Sequence, residues 1–132
     1  MIARGCPDES GIEKSREVDT VALKCPNDPL LFIQRCVNQG KILWTYHVNM
    51  RLIGRFIPRG AIVNSREGYE IIEEYPEDKY LPNYLVYSEY DGHILHILFA
   101  VDVEGDNVRV ITAYRPSPED WEQDFKTRRR RP

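Results

Sequence analysis

The sequence predicts an α+β domain: N-terminal helices packed on a four-stranded antiparallel meander, closed by a short C-terminal helix. Three observations carry this reading. Apolar residues in the first half recur at helical intervals behind N-capping residues; after Gly68 the period drops to two; and the later stretches are joined by turn-forming pairs such as Asp91-Gly92. No βαβ alternation is present, which argues against a parallel nucleotide-binding sheet.

The 132-residue chain divides into a loosely docked arm over residues 1–27, one domain over 28–126 and a basic tail over 127–132. The domain opens with a punctuated helix. Asp28 suits its N-cap, Pro29 its first position and Gly40 its stop, and Leu30, Ile33, Cys36 and Val37 form its apolar stripe. Ile42 to Thr45 reads as a strand or extended lead-in. Thr45 then caps a second helix, on which Tyr46, Met50 and Ile53 point one way and Val48 and Leu52 nearly the opposite way. Pro58 opens a third helix running to about Arg66. Strands follow over Tyr69–Tyr75, Asn83–Tyr90, Ile94–Val103 and Val108–Tyr114. In the third of these, Leu95, Ile97, Phe99, Val101 and Val103 make one wholly apolar face. Ser117-Pro118-Glu119-Asp120 resembles a capping box and predicts a last helix carrying Trp121 and Phe125 back onto the sheet.

Composition narrows the function classes. The 42% hydrophobic and 30% charged content is that of a globular domain, and no apolar run approaches the roughly 18 residues of a membrane span. With no leader-like start and three scattered cysteines, reduced thiols and a cytoplasmic location are expected, and no zinc pattern is present. The net charge of -3 hides an uneven distribution. Thr45 to Arg66 holds four arginines and no acid, whereas Glu67 to Asp78 holds six acids and no base.

The sharpest chemical signal is His47, Arg51 and Arg55, spaced by four on one helix face. One imidazole beside two permanent cations suits a phosphate: the arginines hold it in forked hydrogen bonds while the histidine moves a proton. The competing explanation is an internal charge cluster with Glu70, Glu73, Glu74 or Asp78. His96 lies inside the strongest strand, with Thr112 and Tyr114 on one face of the next. Alone, a strand histidine is more often structural; in that company it suits metal-independent RNA cleavage, which needs a base, an acid and cations for the phosphorane charge.

These residues, in order, bring a resemblance with them. Ile42-x-x-Thr45-x-His47-x-x-x-Arg51-x-x-x-Arg55-x-Ile57, then Glu70-Ile71-Ile72-Glu73-x-Tyr75-Pro76, is similar to domain-of-unknown-function family 4258, found in bacteria and archaea. Leu95-His96-x-x-x-Ala100-x-Asp102, then Ile111-Thr112-Ala113-Tyr114-x-Pro116-x-Pro118-x-x-Trp121, continues the likeness, which spans about Pro29 to Phe125. Val48 departs from the small residue the family often carries after its histidine. The resemblance implies a fold like the RelE-like and barnase-like ribonuclease toxins, with some relatives paired to an antitoxin.

Together these readings give a metal-independent endoribonuclease of toxin–antitoxin type, without cofactor or metal, monomeric or homodimeric. His47, His96 and Tyr114 are its catalytic candidates, and Arg51, Arg55 and Thr112 its substrate-binding ones. RNA and an antitoxin protein are the expected partners, and no membrane. The alternative is a non-catalytic interaction domain in which the histidine–arginine helix is structural wiring.

Overall fold

In the structure, a computed structural model that describes residues 25–77 and 80–130, helix α1 spans Pro29–Asn38. Asp28 accepts a bond from the Leu31 amide, and Gly40 takes φ +77° beyond the helix end. There the Lys41 amide reaches back to the Cys36 carbonyl at 2.8 Å and the Gly40 amide to Val37 at 3.2 Å. This is the Schellman closure, and glycine fits its left-handed position without a Cβ penalty. Strand β1 is Ile42–Trp44, and α2 runs Tyr46–Gly54 behind Thr45, whose hydroxyl accepts from the Val48 amide at 3.1 Å. Helix α3 covers Arg59–Asn64, followed by a single 3₁₀ turn at Arg66–Gly68. Strands β2 (Glu70–Tyr75), β3 (Asn83–Tyr90), β4 (His93–Asp102) and β5 (Asn107–Tyr114) complete the regular elements.

The sheet corrects the expected architecture. It has five strands in the order β1-β5-β4-β3-β2, and β1 pairs with β5 in parallel. The four-stranded antiparallel meander with a RelE- or barnase-like arrangement is therefore not this fold. The antiparallel portion, β2 to β5, follows turn chemistry the sequence displays: Asp91 and Gly92 both take positive φ, as a two-residue type I′ hairpin requires. No such local marker announces β1. It is three residues long, and its partner lies beyond the whole meander.

Among the described residues the expected C-terminal helix is also absent. Ser117 does begin a turn, its hydroxyl accepting from the Glu119 amide and its carbonyl from Asp120 and Trp121. The chain then leaves helical geometry because later residues claim the same backbone groups. Asp120 accepts from the Arg129 amide, the Glu122 amide binds the Thr127 carbonyl, and Asp124 captures the Lys126 and Thr127 amides. The result is a bridged strap, with Trp121 opposite Arg128, in place of a helix.

The sheet has two different faces. Leu95, Ile97, Phe99 and Val101 of β4 join Val86, Val108 and Val110 to meet the helices through Ile33, Cys36, Val37, Val48, Leu52 and Ile62. Burial of this one continuous cluster is the main source of stability, since each fully buried aliphatic side chain contributes about 1.5–3 kcal/mol. Two buried polar links fix α3 over it. Tyr69 donates to the Ile62 carbonyl at 2.6 Å, and Ser65, whose proton goes to Ala61, accepts from Ser88 at 2.7 Å. The second face carries Leu85, His96, Leu98, Thr112 and Tyr114 and is partly covered by the strap.

The arm expected over residues 1–27 lies, through residue 24, outside the described residues. Cys36 is a buried free thiol, but Cys25 is disulfide-bonded, so the expectation of reduced cysteines throughout does not hold. Among the described residues no helix is long and apolar enough to cross a membrane.

Candidate functional site

Helix α2 is amphipathic in an unusual sense. Val48 and Leu52 are buried against the sheet, while Tyr46, Met50 and Ile53, almost diametrically opposite, are exposed. His47, Arg51 and Arg55 lie between these stripes. Steps of four residues overshoot a full turn by about 40°, so the row drifts around the helix. His47 and Arg51 are accordingly exposed, and Arg55 is turned inward and half-buried.

That drift brings Arg55 to the free edge of β5. Strand β1 pairs only with Val108 to Val110, so the carbonyls beyond have no strand on that side. Arg55 fills the place, donating to the Ala113 carbonyl at 2.7 Å and to the Thr112 hydroxyl at 3.2 Å. Arg115 returns the tie, donating to the Arg55 and Phe56 carbonyls at 2.6 and 3.0 Å and so capping the end of α2. Neither His47 nor Arg51 has a hydrogen-bond or ion-pair partner among the described residues. The acidic strand they could have met is engaged elsewhere: Glu70 pairs with Lys126 at 2.9 Å, and Glu73 takes a forked pair of bonds from Arg128 at 2.7 and 3.1 Å.

Thr112 and Tyr114 point from β5 onto the second face, where a groove of about 350 Å³ opens between the sheet and the strap. Leu85 and Leu98 floor it, and Arg128 stands at its edge. Burial raises the Tyr114 phenol above its ordinary pKa, with Arg128 opposing in part, so its hydroxyl keeps its proton. Arg55, through Thr112, connects the basic face of α2 to this groove.

His96 does not join them as a solvent-facing group. Its side chain is fully buried beneath the strap, with the Trp121 ring edge-on at 4.4 Å and Tyr114 at 5.4 Å. Nε2 lies 2.7 Å from the Phe125 carbonyl. A carbonyl can only accept, so Nε2 carries the proton and Nδ1 is the acceptor facing the Tyr114 hydroxyl at 3.4 Å. Burial lowers the His96 pKa, the Phe125 bond opposing only in part. A neutral imidazole held in this way fastens the strap to the sheet.

The sequence-derived set thus divides in two. Arg55, Thr112 and Tyr114 come together at the β5 edge and groove, with His47 and Arg51 on the helix leading to them; His96 lies behind Tyr114, sealed from solvent. Sequence reasoning missed Phe56, Arg115 and Arg128. Arg128 was hidden in what reads as a tail, and Arg115 in a loop; Phe56 had no local sign, since Gly54 already offers a glycine at the end of α2. Among the described residues no group of three or more histidine, cysteine or acidic side chains is placed to hold a metal ion.

The segment from Trp44 to Arg115, which holds every one of these residues except Arg128, matches the model of a family described as a domain of unknown function, DUF4258, over residues 44–115. The chain belongs to the DUF4258 family. The match is narrower than the expected Pro29–Phe125, leaving α1 and the strap outside the shared DUF4258 segment. No curated protein and no solved structure gives a significant match to the chain, and nothing in these comparisons relates this DUF4258 member to RelE-like or barnase-like toxins.

Proposed function

We propose that the protein binds RNA along the basic face of α2 and cleaves it without a metal. The observation that carries this is that His47 and Arg51 have no partner among the described residues, on a helix whose Arg55 bonds Thr112 at the edge of the Thr112–Tyr114 groove. Arg51, an exposed cation without a carboxylate partner in a stretch that holds no acid, supports an anionic ligand from outside the chain. Arg51 and Arg55 hold the phosphodiester and stabilise the charge of the phosphorane. His47 takes the proton of the ribose 2′-hydroxyl as that oxygen attacks phosphorus. The bond to the 5′-oxygen breaks, leaving a 2′,3′-cyclic phosphate; Tyr114, protonated at rest, gives its hydroxyl proton to the leaving 5′-oxygen, and solvent reprotonates the phenolate. Thr112 orients the substrate. His96 takes no part in proton transfer on this reading and holds Tyr114 and the strap in place.

The test is cleavage of single-stranded RNA by purified protein in EDTA. His47→Ala is expected to abolish cleavage and leave binding intact; Arg51→Ala should weaken both. Because both side chains are exposed and unpartnered, each variant should keep the wild-type circular dichroism spectrum and melting temperature. Absence of any cleavage across varied RNA substrates refutes the enzymatic reading.

A non-catalytic interaction domain is the second reading, favoured by the exposed Tyr46, Met50 and Ile53 on the outer face of the same helix. On that reading an antitoxin or other protein partner covers the stripe, and Met50→Asp abolishes capture of that partner while His47→Ala does not.

A further inference from the structure

Phe56 is the most exposed large apolar side chain among the described residues, at 84%, and it is also one of the few non-glycine residues with positive φ, at 56°. Its backbone position is the left-handed site of a second Schellman closure. The Ile57 amide reaches the Leu52 carbonyl at 2.9 Å and the Phe56 amide reaches Ile53 at 3.1 Å. Helix α1 uses Gly40 at the equivalent place, so the same chain ends two helices identically with opposite residue choices. The fold gives no reason for the phenyl ring: Leu52 and Ile57 make the buried apolar contact of the motif, and the ring projects away. Arg115 clamps the Arg55 and Phe56 carbonyls and so holds the ring outward.

Three arginines and an apolar hollow lie close to it. Arg51 and Arg55 belong to a segment from Thr45 to Arg66 without an acid, and Arg115 joins them at the helix end through its bonds to the Arg55 and Phe56 carbonyls. A hollow of about 200 Å³ starts at the next residue, floored by Ile57, Ala61 and Leu95 with Tyr90, Asp91 and Arg115 at its rim. Apolar floor and polar rim match a nucleobase, whose faces are apolar and whose edges carry donors and acceptors.

We propose that Phe56 is a stacking platform for an unpaired nucleobase of single-stranded RNA whose phosphates lie on Arg51 and Arg55. The proposal rests on the RNA reading above and adds the requirement for a base, unstacked and single-stranded, next to the phosphate site.

Fluorescence anisotropy with a short unstructured oligoribonucleotide, and with an abasic chain of the same length, tests it. Phe56→Gly should weaken binding to the base-bearing probe about 5- to 100-fold and leave the abasic probe unaffected. Phe56→Trp, which keeps an aromatic face, should retain tight binding. Arg51→Ala should weaken both probes. The melting temperature of Phe56→Gly should not fall, which excludes unfolding as the cause. If Phe56→Gly binds the base-bearing probe as wild type does, or loses both probes equally, the stacking role is overturned while RNA binding stands. If wild type binds neither probe, the RNA reading falls and the stacking role with it.

Discussion

Replacing His96 by alanine probes the join between strap and sheet. The imidazole is fully buried, its Nε2–H occupied by the Phe125 carbonyl and its ring packed on Trp121. Alanine leaves that carbonyl without a donor, a cost of about 1–3 kcal/mol when it stays out of water. It also leaves a void beneath Trp121, and loss of the larger buried aromatic rings to alanine costs about 3–5 kcal/mol. Because the strap can lift and rehydrate the carbonyl, we expect the lower end of the sum, about 4 kcal/mol, with the strap opening before the sheet does. Trypsin reads this directly: cleavage after Lys126, Arg128 and Arg129 should accelerate strongly while the core from α1 to β5 stays resistant. Urea denaturation as a function of pH supplies a second measure. The folded pKa of His96 is lowered below the ordinary value near 6.5, so the neutral form is the native one. Its contribution is complete above that pH. Below it, the unfolded chain takes up a proton that the folded protein refuses, and stability falls by up to about 1.4 kcal/mol per pH unit until the folded pKa is reached. His96→Ala should lose that component. Equal tryptic patterns, or equal pH slopes for wild type and variant, would refute the account of His96 as the fastening.

Other expectations concern single contacts. Phe56→Gly should stabilise the fold by about 0.5–1 kcal/mol in thermal melts. Left-handed strain of roughly 1–2 kcal/mol is relieved, about 0.5–1 is returned as glycine entropy, and the exposed ring forfeits almost no burial. Arg128→Ala should cost about 0.5–1 kcal/mol after allowance for solvent screening of its Glu73 pair, with faster tryptic cleavage at Lys126 and a more solvent-exposed Trp121 emission. Bonds from Arg35 and Lys41 hold the Asp106 carboxyl at about 2, so its contribution is present above the ordinary carboxylate range and lost as pH falls from roughly 4 toward 2. Asp106→Asn should show a shallower acid limb in the same titration, and an unchanged limb would contradict the pairing.

The sequence made local structure legible wherever one residue type satisfies a specific backbone demand. Asp28, Thr45, Gly40 and the Asp91-Gly92 pair each mark the element boundary they were read to mark, and the period-two face of β4 is the face the helices cover. Legibility ended where two distant groups compete for one partner. Nothing local in Ile42-Leu43-Trp44 says that it will pair in parallel with β5, and the apparent capping box at Ser117 loses to Asp124, Thr127 and Arg129, which capture the same backbone. The candidate site shows the same limit. Helical spacing grouped His47, Arg51 and Arg55, but only the tertiary placement of β5 separates the partnered Arg55 from the two unpartnered residues. Whether His96 is open or sealed depends on a strap that the sequence disguised as a helix and a tail.

The parallel edge pairing has a consequence for the order in which the molecule is built. Strands β2 to β5 can close by successive hairpins, each a short loop, whereas Arg55 meets Thr112 across 57 residues of chain. The α2 face and the β5 edge therefore become one surface only after the meander exists and β1 has docked against its last strand. A nascent or truncated chain that ends before Asn107 has the basic helix but not its Thr112–Tyr114 half. The proposed site is thus a late product of folding, assembled when the sheet is closed by its shortest strand.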